Sequence, residues 1–152
     1  MKIEQNFVLD VPIGPSWSYI RDPQFVAACL PGCENVETLS PISFLATIRV
    51  TLGPFNMRFV LEVDLVSEIV GQEVRFRCRG EEGGRASTVS SENILRLEPS
   101  ADARTNVHYS ADVLVVGRLG RFGLGVMRKK TVSLCEEFAA QFAQRVKSEV
   151  SA

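Results

Sequence analysis

The sequence is poor in the residues that most often form a chemical site. It contains one histidine and four cysteines among 152 residues. Cys29 and Cys33 are spaced C-x3-C, but no second pair follows at the spacing of a zinc site, and C-x3-C is not the C-x-x-C motif that lowers a thiol pKa. We therefore expect neither a metal site nor a redox pair. Cys29 is predicted to be a small buried apolar residue and Cys33 a turn residue.

Long apolar runs and an excess of charge of one sign are also missing. No run approaches the roughly 18 to 20 residues that a membrane-spanning helix needs. Glu4, Gln5 and Asn6 interrupt the apolar core that a signal peptide would require. The formal net charge is −1, so no global field favours nucleic acid as a partner. We expect a cytoplasmic protein whose thiols stay reduced.

The composition that remains is that of an ordinary globular protein, with 45% hydrophobic and 23% charged residues. No repeat, low-complexity tract or long linker divides the chain. Residues 1–152 are therefore predicted to form one domain with a sizeable core.

Alternating apolar residues predict β-strands through most of the chain. The first covers Ile3–Val11. Further strands, each with its apolar residues on one face, are linked by short turns from Val36 to Gly117. Pro31-Gly32 and Gly83-Gly84 are predicted turns. Short connections between one-sided strands indicate an antiparallel sheet with one solvated face.

Two short helices are predicted after the first strand. Gly14 or Ser16 can open the first one. Asp22 caps the second, with Pro23 at the first helical position, where proline is favoured.

A long amphipathic helix is predicted to end the chain, because the apolar period changes after Gly120. A helix of about 25 residues would bury one stripe against the apolar face of the sheet, which predicts the α+β class. The stripe comprises Phe122, Val126, Leu134, Phe138, Phe142 and Val146. Four small residues on inward-facing positions would leave room for a ligand, or would allow close packing of helix on sheet: Ala46, Ser91, Ala111 and Gly125.

Several motifs together resemble the CoxG-like family, named after the G component of carbon monoxide dehydrogenase. The opening "FVLDVP…SWSYIRDPQFVAACLPGCENVE" carries the most specific pieces, which are Asp22-Pro23 and "LPGCE" at Leu30–Glu34. "VTLGPFNMRF", "YSADVLVVGRLGRFG" and "CEEFAAQFAQRV" support it. The resemblance covers about Lys2 to Val150. It implies the helix-grip (START/Bet v 1-like) fold of the START/polyketide cyclase (SRPBCC) superfamily, a curved antiparallel sheet of about seven strands around a long C-terminal helix.

The resemblance also implies a function. It points to a non-enzymatic carrier with an apolar cavity for a lipophilic molecule, and a respiratory quinone is the leading candidate. The partner would be a molybdenum-dependent carbon monoxide dehydrogenase or a related oxidoreductase, with peripheral contact at the inner face of the membrane. No other cofactor is implied. Phe59 and Val60 stand where the family pattern would place a glycine, which predicts a narrowed cavity.

Two other classes of function remain open. A polyketide cyclase or aromatase would need an acid or base in the cavity, and only Tyr109 has the required strand phase. An assembly or recruitment factor would act through an arginine-rich outer face formed by Arg75, Arg77 and Arg79. The cations near the start of the last helix could meet lipid head groups or an acidic partner, or form a solvated helix face.

No catalytic residue is predicted. His108 and its neighbours Ser110 and Asp112 share one solvated strand face, without a nucleophile elbow. Strand phase and the aromatic content predict thirteen residues that line the cavity: Trp17, Phe25, Leu30, Phe44, Phe59, Phe76, Ser91, Asn93, Tyr109, Val113, Phe122, Val126 and Phe138.

Overall fold

The structure, a computed structural model, describes residues 1–83 and 86–151. Gly84, the second residue of a predicted turn, lies outside the described residues. Within them the elements are β1 (Lys2–Leu9), α1 (Ile13–Ile20), α2 (Pro23–Cys29), β2 (Cys33–Ser40), β3 (Ser43–Leu52), β4 (Phe55–Ile69), β5 (Glu73–Glu82), β6 (Ser87–Ser100), β7 (Arg104–Gly117) and α3 (Leu124–Ser151). Short 3-10 turns precede β7 and α3.

The strands form one antiparallel sheet in the order β1-β7-β6-β5-β4-β3-β2. α3 packs on its apolar face, where Phe142 and Val146 join Leu9, Leu97 and Val107 in a buried core. The predicted α+β class and the grip of the sheet on a long C-terminal helix are confirmed.

The two short helices begin for different reasons. Asp22 caps α2, because its Oδ1 accepts from the amides of Gln24 (3.0 Å) and Phe25 (3.4 Å). This confirms the predicted cap, which contributes about 1 kcal/mol. α1 instead begins directly after Pro12, so the prediction that Gly14 or Ser16 opens it is wrong.

Ser16 lies inside α1 and is fully buried. Its hydroxyl forms a hydrogen bond between the helix and the sheet. The hydroxyl donates to Thr105 Oγ1 at 3.1 Å, and Thr105 donates to the Val11 carbonyl at 2.8 Å. A hydroxyl used in this contact cannot cap the helix.

Gly32 turns the chain from α2 into the sheet. Its φ is +76°, and a Cβ there would collide with the carbonyl oxygen of Arg49. The Arg49 amide donates to the Gly32 carbonyl at 2.9 Å, so pairing with β3 begins at once. Cys33 is consequently the first residue of β2 and not a turn residue as predicted.

Candidate functional site: an apolar cavity between the sheet and the long helix

A cavity of about 390 Å³ lies between α3 and the inner face of the sheet. This volume falls within the range of about 300 to 1,000 Å³ that is typical of small-molecule sites. The sheet supplies alternate residues of each strand, for example Phe44, Ala46, Ile48 and Val50 of β3. They line one wall together because successive strand residues face opposite sides.

Two helices also line the cavity. α3 contributes residues at helical spacing, among them Met127, Leu134 and Phe138. α2 contributes Pro23 and Val26, and the turn after it contributes Leu30 and Pro31. The stretch with the unusual cysteine pair therefore forms one edge of the cavity, while neither Cys29 nor Cys33 lines it.

The structure places nine of the thirteen predicted residues on the cavity wall: Leu30, Phe44, Phe59, Phe76, Ser91, Asn93, Tyr109, Val113 and Phe138. Their contact with a ligand stays a prediction. Phe59 is buried on this wall, whereas Val60 is 47% exposed on the opposite face of β4. Val60 therefore does not narrow the cavity.

The other four predicted residues lie elsewhere. Trp17 and Phe25 pack against the core beside the cavity, and the Phe25 and Phe142 rings meet edge to face at 5.3 Å. Phe122 falls in the 3-10 turn before α3, where its ring contacts that of Phe55 at 5.4 Å. Val126 lies on α3 but is 45% exposed. The apolar stripe of α3 thus begins later than the four-residue spacing predicts.

Sequence reasoning missed several wall residues. Cys78, Met127, Lys130, Thr131 and Cys135 also line the cavity. Cys78 shares the phase of Phe76 and could have been found by strand alternation, whereas Cys135 lies beside Leu134 on the broad face that α3 turns to the sheet. Among the small residues, Ala46 and Ser91 line the cavity; Ala111 and Gly125 do not.

One cluster of polar groups interrupts the apolar wall. Tyr109 Oη donates to Asn93 Oδ1 at 2.6 Å. The Asn93 amide nitrogen lies 3.1 Å from the Phe76 carbonyl, 3.2 Å from the Ser91 carbonyl, 3.0 Å from Ser91 Oγ and 3.7 Å from Cys78 Sγ. Buried polar groups need such partners to offset the cost of leaving water.

The titratable groups of this cluster are held in their neutral forms. Loss of hydration on burial raises the pKa of Cys78 to about 11 and also raises the pKa of Tyr109 and of Cys135. Among the described residues of the wall there is no carboxylate and no imidazole. Two cationic residues, Arg21 and Lys130, also line the cavity. Apart from them, the wall offers neutral hydrogen-bonding groups inside a largely apolar surface.

On the outer face of the sheet, Arg75 and Arg77 are paired with glutamates. Glu73 accepts from Arg75 at 3.1 Å and from Arg96 at 2.9 Å, and Arg77 pairs with Glu92 at 2.8 Å. This pairing leaves less unbalanced positive charge on the face than the sequence alone suggests.

The remaining chemical candidates form no site. His108 is partly exposed and contacts Asn6 Oδ1 at 2.7 Å. All four cysteines are free. Across residues 1–83 and 86–151 no cluster of His, Cys, Asp or Glu has the arrangement of a metal site.

A basic apolar surface lies next to the cavity at the start of α3. We define it by Phe55, Arg121, Leu124, Val126 and Lys129, all of which are exposed. The adjoining residues Met127 and Lys130 line the cavity itself. In the part of the chain that the structure describes, no helix is long and apolar enough to cross a bilayer.

Comparison with known proteins identifies a family. The model of the CoxG family, which describes the G component of carbon monoxide dehydrogenase, matches residues 7–147. No curated protein sequence matches the chain.

Solved structures share the fold at low sequence identity. A conserved protein from Geobacillus kaustophilus is 17% identical, with a TM-score of 0.89 over 97% of this chain and 96% of that one. A START superfamily protein from Mycobacterium smegmatis is 13% identical, with a TM-score of 0.78 over 97% of each chain. The Zhui aromatase/cyclase from Streptomyces sp. R1128 is 17% identical, with a TM-score of 0.64 over 99% of this chain and 93% of that one. At these identities the likeness concerns the fold alone.

Proposed function

This chain belongs to the CoxG family of carbon monoxide dehydrogenase components, and on that premise we propose that it is a non-enzymatic carrier of a lipophilic small molecule. The observation that carries the proposal is the apolar cavity of about 390 Å³ under α3. Its walls are mostly aliphatic and aromatic, with one neutral polar cluster at Ser91, Asn93 and Tyr109. Such a surface suits a ring with a few oxygen atoms attached to an apolar tail.

We further propose that the ligand is a quinone and that the carrier serves a molybdenum-dependent carbon monoxide dehydrogenase or a related oxidoreductase. The family description supports the partner, and the polar cluster supports a ligand with ring oxygens. A protein that carries such a ligand in the cytoplasm must exchange it with the membrane, where lipophilic molecules reside.

The basic apolar surface supports that exchange at the inner face of the membrane. Leu124 is 72% exposed and Phe55 45% exposed, and burying such side chains among lipid tails is favourable. Arg121 precedes Leu124 in the chain and Lys129 follows it, and both are exposed. They would attract anionic lipid head groups, at about 1 kcal/mol for each cation. Residues of the adjoining turn of α3 line the cavity, so this surface is the route that we propose for the ligand.

A cyclase-like enzyme is the second candidate, and the Tyr109–Asn93 pair is the observation that favours it. General acid–base catalysis works best when the pKa of the catalytic group lies near the working pH. Burial instead raises the pKa of Tyr109 and of both nearby thiols. These groups are better suited to bind a neutral ligand than to exchange protons with it.

Titration calorimetry with decylubiquinone tests the carrier proposal. We expect saturable binding at one site, and we expect Ala46→Phe to abolish it, because Ala46 is fully buried on the cavity wall. Ala140→Phe is the matched control, since Ala140 is exposed on α3 and does not line the cavity.

Either of two results would overturn the carrier proposal. One is that decylubiquinone does not bind to the unmodified protein. The other is that folded Ala46→Phe protein binds it as well as Ala140→Phe protein does.

A further inference from the structure

The orientation of the Asn93 amide is fixed by its surroundings. One end of the amide lies 3.1 Å from the Phe76 carbonyl and 3.2 Å from the Ser91 carbonyl. A carbonyl oxygen can only accept, so this end must be the NH₂ group. The other end is therefore the amide oxygen, and it faces Tyr109.

The orientation of Asn93 determines what Tyr109 can do. Its phenol oxygen lies 2.6 Å from Asn93 Oδ1. Because an amide oxygen carries no hydrogen, the phenol must be the donor, and its only hydrogen is used in this bond. Burial raises the pKa of Tyr109, so the phenol keeps that hydrogen at physiological pH. Toward a ligand, Tyr109 can only accept a hydrogen bond.

Ser91 has the opposite role. Its hydroxyl oxygen accepts from the Asn93 amide at 3.0 Å, which leaves the hydroxyl hydrogen to be donated. The neighbouring acceptor is the sulfur of Cys78, and sulfur accepts hydrogen bonds weakly. A ligand oxygen is a better acceptor, so Ser91 can donate to a ligand.

We propose that this cluster makes the cavity selective for a ligand head group that carries a hydroxyl hydrogen, and hence for the hydroquinone over the quinone form of a redox-active ring. The inference rests on the proposed function and deepens it. A hydroxyl group can donate to Tyr109 Oη and accept from Ser91. A quinone carbonyl oxygen can accept from Ser91 but has no hydrogen to donate to Tyr109. The carbonyl oxygen and Tyr109 Oη would then face each other as two acceptors without a hydrogen between them.

The size of the preference follows from the value of one buried hydrogen bond. A net contribution of about 1 kcal/mol, with a further cost for unpaired buried acceptors, corresponds to about tenfold in affinity. For a two-electron couple, a tenfold preference for the reduced form raises the midpoint potential of the bound ring by about 30 mV. A carrier that prefers the hydroquinone would take up this reduced product from an oxidoreductase that forms it.

Anaerobic calorimetry on the unmodified protein tests the inference without any substitution. Decylubiquinone and dithionite-reduced decylubiquinol are titrated in parallel. We expect the quinol to bind about tenfold more tightly. Equal affinities, or tighter binding of the quinone, would overturn the selectivity and leave the carrier function standing. If neither form binds, the carrier proposal falls and the selectivity falls with it.

Substitutions assign the preference to individual atoms. Tyr109→Phe removes the acceptor for the quinol hydrogen and also the acceptor that opposes a quinone carbonyl. It should therefore weaken quinol binding and tighten quinone binding, so that the tenfold preference is lost. Ser91→Ala should weaken both forms by a similar factor and preserve their ratio. Tyr19→Phe is the matched control, because Tyr19 lies outside the cavity and packs on Phe25. If folded Tyr109→Phe protein keeps the full preference, Tyr109 is not its source and the inference is wrong.

Discussion

Gly32 illustrates, at the scale of one residue, how backbone geometry holds the edge of the cavity. Its φ is +76°, and the space where a Cβ would lie is occupied by the Arg49 carbonyl. Gly32→Ala should therefore destabilise the protein by more than about 1 kcal/mol in urea denaturation, through backbone strain and through the collision.

Gly14→Ala is the control for that substitution. Gly14 lies in α1, and nothing stands within 4 Å of its would-be Cβ. Alanine is the better helix former, so this variant should be neutral or up to about 1 kcal/mol more stable. Equal losses of stability in both variants would contradict the account of Gly32.

Cys78 should make stability depend on pH in the alkaline range. Burial raises the pKa of this thiol from 9.0 to about 11 in the folded protein. The folded state then holds its proton more tightly than the unfolded state does, so this stabilising contribution is complete below pH 9 and is lost as the pH rises toward 11. The loss amounts to about 3 kcal/mol. Urea denaturation across this range should show a shallower decline for Cys78→Ala; identical slopes would count against the assignment.

At the scale of the element, α3 holds valines in two different environments. Val146 is fully buried in the core with Phe142, whereas Val126 is 45% exposed. Val146→Ala should therefore cost about 2 kcal/mol, from two lost methyl groups and the cavity they leave. Val126→Ala makes the same chemical change on the same helix and should cost less than about 0.5 kcal/mol. Thermal denaturation that gives equal costs would show that the burial of α3 is misassigned.

The elements differ in how well the sequence predicts them. β3 and β7 lie within the region from Val36 to Gly117 where alternation predicts strands, because strand phase is a local property. The apolar spacing misplaces the start of α3 because residues 118–122 form a 3-10 turn, and a spacing of four residues cannot distinguish such a turn from the first turn of an α-helix.

Residues of the cavity wall are also easier to predict on strands than on helices. Strand alternation correctly predicts that Phe44, Phe76 and Tyr109 line the cavity. Trp17 and Phe25 are predicted there but pack in the core, because they lie on short helices whose packing side depends on tertiary contacts. The hydrogen bond from Tyr109 to Asn93 could not be predicted, because it depends on the register between β6 and β7.

At the scale of the whole molecule, charge and apolar surface are combined beside the cavity. We expect the double variant Arg121→Gln, Lys129→Gln to bind vesicles of phosphatidylcholine and phosphatidylglycerol roughly thirty-fold more weakly, at about 1 kcal/mol for each cation. Cosedimentation at low and high salt measures this, and the difference should shrink at high salt.

Arg75→Gln, Arg77→Gln provides the control for the vesicle experiment. It makes the same change in net charge on the outer face of the sheet, where both arginines pair with glutamates. This variant should bind vesicles as the unmodified protein does. Equal weakening in both double variants would contradict a membrane contact at the basic apolar surface.

Native mass spectrometry of protein purified from its own cells can show whether the cavity carries a lipophilic ligand. We expect a mass above that of the bare chain. The excess mass should be lost on extraction with organic solvent, with a quinone or another isoprenoid recovered in the extract. A bare-chain mass that does not change when quinones are added would contradict the carrier proposal.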